Sequence, residues 1–227
     1  MNLPQCEIGA ANAEILFVAG GRTPSPDWFT AAARNRKIFC IDRGVELCRA
    51  QNILPEMLIG DFDSAENSAV AWALEKNIPV ERHPVDKDLT DTQLALKFAS
   101  SAAIITGAFG GRFDHAFSTI FTCAHFHAKI FLADDREIIF YVKGSETVAV
   151  NFFSKPVALS LLPISEICTG VTIDNVRWTL DNATLTKNFP AAVSNRVERN
   201  EIKISVGAGI LAVYCCFDEF FSRAISA

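Results

Sequence analysis

The chain has 227 residues, half of them hydrophobic, 21% charged and 10% aromatic, with 12 glycines and 9 prolines, a composition that excludes a disordered, collagenous or low-complexity protein. Its 21 basic and 26 acidic residues leave a formal charge of −5, which argues against partners such as nucleic acid or an anionic membrane and leaves room only for a local anion site.

From Glu14 to about Phe140, short apolar runs alternate with segments of helical period. Ile15–Val18, Lys37–Ile41, Met57–Ile59, Ala103–Ile105 and Lys129–Leu132 are expected strands. Between them, Asp27–Arg34, Gly44–Gln51, Ala65–Lys76, Asp91–Ser100 and Phe113–His127 are expected helices. Such alternation implies an α/β domain with a parallel sheet covered by helices on both faces, Rossmann-like in outline. In sheets of this kind ligands sit beyond the carboxyl ends of the strands, so the polar residues after each strand carry the interest. Past Gly144 the texture changes to short alternating runs: Thr147–Phe153, Val157–Leu162, Val171–Leu180, Ala183–Lys187, Glu201–Val206 and Ile210–Phe217. These predict an all-β sandwich or open barrel, with a helix only in the last residues. The expected domains are therefore 1–143 and 144–227.

The first residues, Met1 to Glu7, have neither the basic start nor the apolar stretch of a signal peptide, and no run is long enough to span a membrane. A cytoplasmic protein is expected. Seven cysteines without a CxxC pair are read as reduced core residues.

Three polar clusters follow three of the strands. In Gly60-Asp61-Phe62-Asp63-Ser64, alternation along an extended chain puts Asp61 and Asp63 on one side and Phe62 on the other. Two carboxylates about 5 Å apart repel by roughly 3 kcal/mol at an effective dielectric near 20. A divalent cation held by carboxylates and substrate phosphates, as Mg²⁺ usually is, offsets that cost; the alternative is a solvated turn in which Asp63 caps the following helix. In Asp86-Lys87-Asp88-Leu89-Thr90-Asp91-Thr92-Gln93, Thr90 and Gln93 form a capping box that starts a helix at Asp91. Lys87, Asp88 and Asp91 there also suit a metal ion and a phosphate chain. The third cluster, Thr106 to His115, contains Gly110, Gly111, Arg112 and Asp114. It is neither a Walker A sequence nor GxGxxG, but adjacent glycines let backbone N–H groups approach an anion, and Arg112 brings a cationic fork. Asp114 is otherwise an N-cap, and no histidine pair has metal-ligand spacing.

Taken in order, GDFDS at Gly60–Ser64, KDLTD at Lys87–Asp91 and GGRFDH at Gly110–His115 resemble the thiamine pyrophosphokinase family. Ile41-Asp42-Arg43-Gly44, Ser160-Leu161-Leu162-Pro163 and Val193-Ser194-Asn195 extend the resemblance over nearly the whole chain. This chain has Arg43 where the family usually has a second glycine, and Thr119 where it usually has asparagine. The resemblance implies transfer of a diphosphoryl group from ATP to the hydroxyl of thiamine, with release of AMP. It implies Mg²⁺ on Asp61, Asp63 and Asp91, supported by Asp88. Asp42, Lys87, Thr90, Gly110, Gly111, Arg112 and Asp114 are then expected on the nucleotide side, with Lys87 and Arg112 stabilising phosphate charge, and Ser194 and Asn195 on thiamine. A homodimer is expected, which would also bury residues such as Phe152, Phe153 and Trp178. The alternatives are a pyrophosphokinase of similar architecture acting on a hydroxymethylpterin and a non-catalytic sensor of nucleotide or thiamine.

Overall fold

The computed structural model describes residues 2–9 and 12–218. In chain order its elements are β1 (Cys6–Ile8), β2 (Ala13–Val18), α1 (Pro26–Ala33), β3 (Lys37–Ile41), α2 (Gly44–Ala50), β4 (Met57–Gly60), α3 (Asn67–Glu75), β5 (Val80–Arg82) and α4 (Asp91–Ala95), which runs into a 3₁₀ turn, Leu96–Phe98. There follow β6 (Ala102–Thr106), α5 (Phe113–His125), β7 (Ile130–Ala133), β8 (Glu137–Lys143), β9 (Glu146–Phe152), β10 (Ala158–Pro163), β11 (Ile167–Ile173), β12 (Leu180–Thr186), β13 (Glu201–Val206) and β14 (Ile210–Cys216). The result is a mixed α/β protein with two compact units, Ala13–Asp134 and the remainder.

In the first unit the strands pair in parallel in the order β7-β6-β2-β3-β4-β5. β6 (AAIIT) and β7 (IFLA) are buried at every position, the near-continuous apolar texture of a strand covered on both faces. Phe17, Phe29, Leu58, Ile59, Ile104, Ile105 and Leu132 form the core. The strand order has a consequence for function. From β2 the chain builds outward through β3, β4 and β5, then returns to place β6 on the other side of β2. The connections leaving β2 and β6 therefore run in opposite directions along the sheet, which makes the carboxyl ends of these two strands the switch point where open α/β sheets bind ligands.

Within the second unit the strands pair antiparallel in two runs, β10-β14-β8 and β1-β9-β13-β11-β12. β13 shows why one residue in two is apolar: Ile202, Ile204 and Val206 are buried, and Glu201 and Lys203 face outward.

Most expected elements are present within a few residues, with some differences. The compact units divide at 134/135, and β8 pairs with β14 along its whole length. β1 joins the β-rich unit by pairing with β9. The expected run 171–180 is not one strand: 171–173 end β11, Asn175 turns at φ +57°, and only Leu180 belongs to β12, whose remainder matches the expected 183–187. The strands β1, β5 and β8 were not foreseen. The expected terminal helix lies outside the described residues. All seven cysteines are buried free thiols, and among the described residues no helix is long and apolar enough to cross a membrane.

Candidate active site

A cavity of about 710 Å³ opens at the carboxyl ends of the parallel strands. Its lining comes from the loop after β2 (Ala19, Gly20, Gly21), the end of β3 (Asp42, Arg43), the end of β4 (Asp61, Asp63, Ser64), the segment 85–92, and the loop after β6 with the start of α5 (Gly107, Ala108, Gly111, Arg112, His115, Thr119). The three clusters singled out in the sequence thus share one cavity.

Its acidic side is built tightly. Oxygen atoms from Asp42, Asp61 and Asp91 all lie within 4.8 Å of one another. Lys87 Nζ sits 2.8 Å from Asp61 Oδ2 and 3.1 Å from Asp91 Oδ2, and these side chains are only 11–14% exposed. Asp91 Oδ1 is buried without a hydrogen-bond partner. The Thr90–Gln93 capping box is formed: Gln93 N donates to Thr90 Oγ1 at 3.2 Å and Thr90 N to Gln93 Oε1 at 2.9 Å. It fixes the start of α4 and with it Asp91.

Backbone conformation aims the other two acids. Asp42 and Phe62 are both left-handed, at φ +46° and +62°, a costly choice for residues other than glycine and one that clusters at functional sites. Phe62 N approaches Asp42 Oδ1 at 3.5 Å, and Asp63 N donates to Asp61 Oδ1 at 3.2 Å. Gly60 (φ +144°) passes so close to the Asp42 carboxylate that a Cβ there would strike Oδ1. Arg82 holds the turn from outside, donating to the Asp61 carbonyl at 2.9 Å with its guanidinium 5.2 Å from the Phe62 ring centroid. Phe62 is buried, placed by a left-handed turn and not by extended alternation.

The charges remain unbalanced. Burial, followed by the Asp91 and Asp61 carboxylates, pushes the Asp42 carboxyl up to about 7. Burial also acts to raise Asp61, but hydrogen bonds from Lys87 and the Asp63 amide outweigh it, and Asp61 lies below the usual carboxylate range. Lys87 is held above its ordinary value, the two carboxylates outweighing its own desolvation. One lysine among three converging carboxylates leaves net negative charge and an unpartnered buried oxygen. An all-oxygen donor set of this kind suits a hard divalent cation.

The glycine side is made of backbone. Ala19 N donates to the Thr106 carbonyl and Gly21 N to that of Gly107, each at 2.9 Å, so the loops after β2 and β6 are stitched together. Arg112 pairs with Asp114 (Nη2–Oδ2 2.6 Å), with side chains 73% and 63% exposed.

The structure brings Asp42, Asp61, Asp63, Lys87, Asp88, Thr90, Asp91, Gly111 and Arg112 to the cavity wall. Gly110 and Asp114 are outside the lining. Asp63 stands at the wall beside the three converging acids, exposed. It does not cap α3, whose N-cap is Glu66. Nor is Asp114 an N-cap, because α5 begins at Phe113 after Arg112. Ser194 and Asn195 belong to the β-rich unit. There Ser194 N donates to Ser160 Oγ, and buried Asn195 accepts from the Trp178 and Arg196 amides and donates to the Trp178 carbonyl at 2.8 Å. Sequence reasoning put Asp42 on the nucleotide side and missed its place among the carboxylates. It also overlooked Gly20-Gly21, although a glycine pair directly after the first long strand was a usable signal.

Residues 30–132 match the family described as "Thiamin pyrophosphokinase, catalytic domain", and residues 153–211 match "Thiamin pyrophosphokinase, vitamin B1 binding domain". The chain belongs to the thiamine pyrophosphokinase family. Among relatives, the thiamine pyrophosphokinase of Bacillus subtilis is 27% identical over 206 residues, covering 87% of this chain and 95% of that protein. Thiamine pyrophosphokinase 1 of rice is 23% identical over 170 residues, covering 69% of this chain and 64% of that protein, a little under two thirds of its length. The fold is shared with the crystal structures of the Bacillus subtilis enzyme (TM-score 0.79, 24% identity, 90% of this chain and 99% of that one) and of the Candida albicans enzyme (TM-score 0.77, 15% identity, 91% and 90%). The family match at 30–132 includes all three acids and the 107–111 loop, while Ala19, Gly20 and Gly21 of the cavity wall precede it.

Proposed function

We propose that the chain is a thiamine pyrophosphokinase that transfers a diphosphoryl group from ATP to the hydroxyl of thiamine, yielding thiamine diphosphate and AMP. The convergence of Asp42, Asp61 and Asp91 around Lys87, in a cavity at the switch point of a parallel sheet, carries this reading. Asp61 and Asp91, joined by Asp63 from the wall and by Asp42, hold Mg²⁺, and Asp88 supports them. Bound there, Mg²⁺ supplies the positive charge that the phosphate oxygens need during transfer.

The remaining work belongs to the protein. Lys87 is locked between two carboxylates and so presents a fixed charge to the phosphate chain without reorganising. Backbone N–H groups of the 107–111 loop and the guanidinium of Arg112 cradle the same chain from the other wall. The loops hold acceptor and phosphoryl group in line. Asp63 or Asp91 accepts the proton of the attacking hydroxyl, Asp91 through the oxygen that Lys87 does not occupy. Ser194 and Asn195 bind thiamine, a role supported by the vitamin B1 binding match over 153–211. We read the α/β unit as Rossmann-like with helices on both faces, and the β-rich unit as a sandwich. The active species is a homodimer: Phe153 (68% exposed) and Trp178 (55%) offer apolar surface for a second copy, whereas Phe152 is already core. Unpaired thiols suit a cytoplasmic setting.

The test is direct. With ATP, Mg²⁺ and thiamine, the protein should release AMP in step with thiamine diphosphate. AMP release only with a hydroxymethylpterin, or ligand binding with no AMP release at all, overturns the assignment. Sedimentation equilibrium that finds only monomer overturns the dimer.

A further inference from the structure

Arg22 follows the Gly20-Gly21 pair, lies outside every motif that drew attention in the sequence, and does not line the cavity. It nonetheless touches the loop after β6 and the residue that ends β7. Its amide donates to the Phe109 carbonyl at 2.5 Å. Its guanidinium lies 5.7 Å from the Phe109 ring centroid, and Nε and Nη2 both bond Asp134 Oδ2, at 2.9 and 2.5 Å. Asp134, at the end of β7, is fully buried, whereas the Arg22 side chain is 23% exposed. Gly110 (φ +71°) crosses directly over Arg22, where a Cβ would come within 2.7 Å of the Arg22 Cβ. Gly107, Ala108, Gly111 and Arg112, on either side of Phe109 and Gly110, all face the cavity.

We infer that Arg22, anchored on the buried Asp134 carboxylate, is a positioning residue that props the 107–112 loop in the shape that receives the phosphate chain. The fork bonds the carboxylate through two nitrogens while its central carbon lies over the aromatic ring, a combination an ammonium cannot reproduce. Because the anchor is buried, the prop is rigid from below, and the loop above it has no side-chain packing of its own at Gly110 and Gly111. The kinetic part of this inference rests on the pyrophosphokinase assignment; the structural part does not.

The test uses Arg22→Lys, which keeps the charge and loses the fork, and the double variant Arg22→Gln/Asp134→Asn, which removes both charges so that no buried carboxylate is left unpaired if folding is sensitive to that. Hydrogen exchange at the 107–112 amides is read beside exchange in β3 and β6, together with the KM for ATP and kcat. Expected in both variants is at least tenfold faster exchange confined to 107–112, with the KM for ATP raised about tenfold and kcat within threefold of the parent. Unchanged loop exchange in the folded variants, or acceleration spread evenly over the unit, overturns the inference. A parent protein that releases no AMP while the loop-specific exchange still appears would count against the pyrophosphokinase assignment and leave the prop standing.

Discussion

The two walls of the cavity are organised in opposite ways. On the acidic wall, Asp61, Lys87 and Asp91 are 11–14% exposed, interlocked by ion pairs, and aimed by left-handed backbone at Asp42 and Phe62. On the glycine wall the groups we assign to phosphate recognition are main-chain amides and an arginine that is 73% exposed and paired at the surface with a neighbouring acid. The acidic wall stores electrostatic and conformational strain before any ligand arrives; the glycine wall stores almost none. Preorganised charge acts most strongly on a transition state, so substitutions on the acidic wall should reach turnover, and those on the glycine wall should mainly reach affinity.

The sharpest way to break this contrast is Asp91→Asn or Asp61→Asn. Each should keep the fold and lower turnover by at least about a hundredfold, equivalent to roughly 2.7 kcal/mol of transition-state stabilisation. Near-normal turnover in both would remove the acidic wall from the chemistry. Comparing Asp42→Asn with Asp63→Asn decides which of the two completes the carboxylate set, because the one that completes it should lose Mg²⁺ affinity together with turnover. Next in size is Lys87→Met, for which turnover should fall by about thirtyfold. The metal-free protein should also lose stability, because Asp61 and Asp91 would then face each other and Asp42 without a counter-charge. Unaltered thermal stability of the metal-free variant would show that the lysine is solvated and not interlocked.

How much of this was legible in the sequence follows from the range of the forces involved. The strands β2, β3, β4, β6 and β7 could be read because burial on both faces makes each a continuous apolar run, and the capping box at Thr90 because its bonds are local. The acids of GDFDS and KDLTD were legible as residue types, since paired carboxylates need a reason. Their partnership with Asp42 was not. It depends on β3 lying beside β4 in register, Ile41 opposite Ile59, and on a glycine thin enough at position 60 to let the carboxylate approach. β5 was missed because its three residues are only partly buried, so no period develops. The place of β8 in the compact β-rich unit was not legible because it has the apolar texture of the α/β strands, while its ladder to β14 joins residues far apart in sequence. Arg22 was invisible for the same reason, its anchor Asp134 being 112 residues away.

The stored charge also predicts a dependence on pH. In the folded, metal-free protein the Asp42 carboxyl keeps its proton to about pH 7, against an ordinary value of 3.8. Between those values the folded state binds more protons than the unfolded one, so stability is lost as pH rises through the window. After allowance for partial solvent access, the loss is on the order of 2 kcal/mol. Asp61, held low, acts oppositely and loses its contribution only as the solution becomes acidic enough to protonate it. Since a cation needs the deprotonated carboxylates, Mg²⁺ should raise the melting temperature clearly more at pH 8 than at pH 5.5, and Asp42→Asn should flatten the metal-free profile between pH 4 and 7. Equal Mg²⁺ stabilisation at both pH values would mean that the cluster is not where the cation binds.

The smallest effect is expected on the glycine wall itself. Arg112 is at the surface, and its Nε and Nη2 bond the Asp114 carboxylate at 3.1 and 2.6 Å. A pair so exposed contributes little to stability, so Arg112→Lys should leave the melting temperature unchanged. To meet a phosphate chain the guanidinium must turn from Asp114 or share with it, and an ammonium can do either at similar cost but makes one point contact where the fork makes two. The KM for ATP should therefore rise by about three- to tenfold, and kcat should change by less than twofold. Asp114→Asn, which releases the arginine, should move KM the other way or not at all. If Arg112→Lys instead lowers kcat as strongly as Lys87→Met does, then the arginine acts in the transition state, the glycine wall closes on the phosphates before transfer, and the contrast between a strained wall and a relaxed one holds only for the empty cavity.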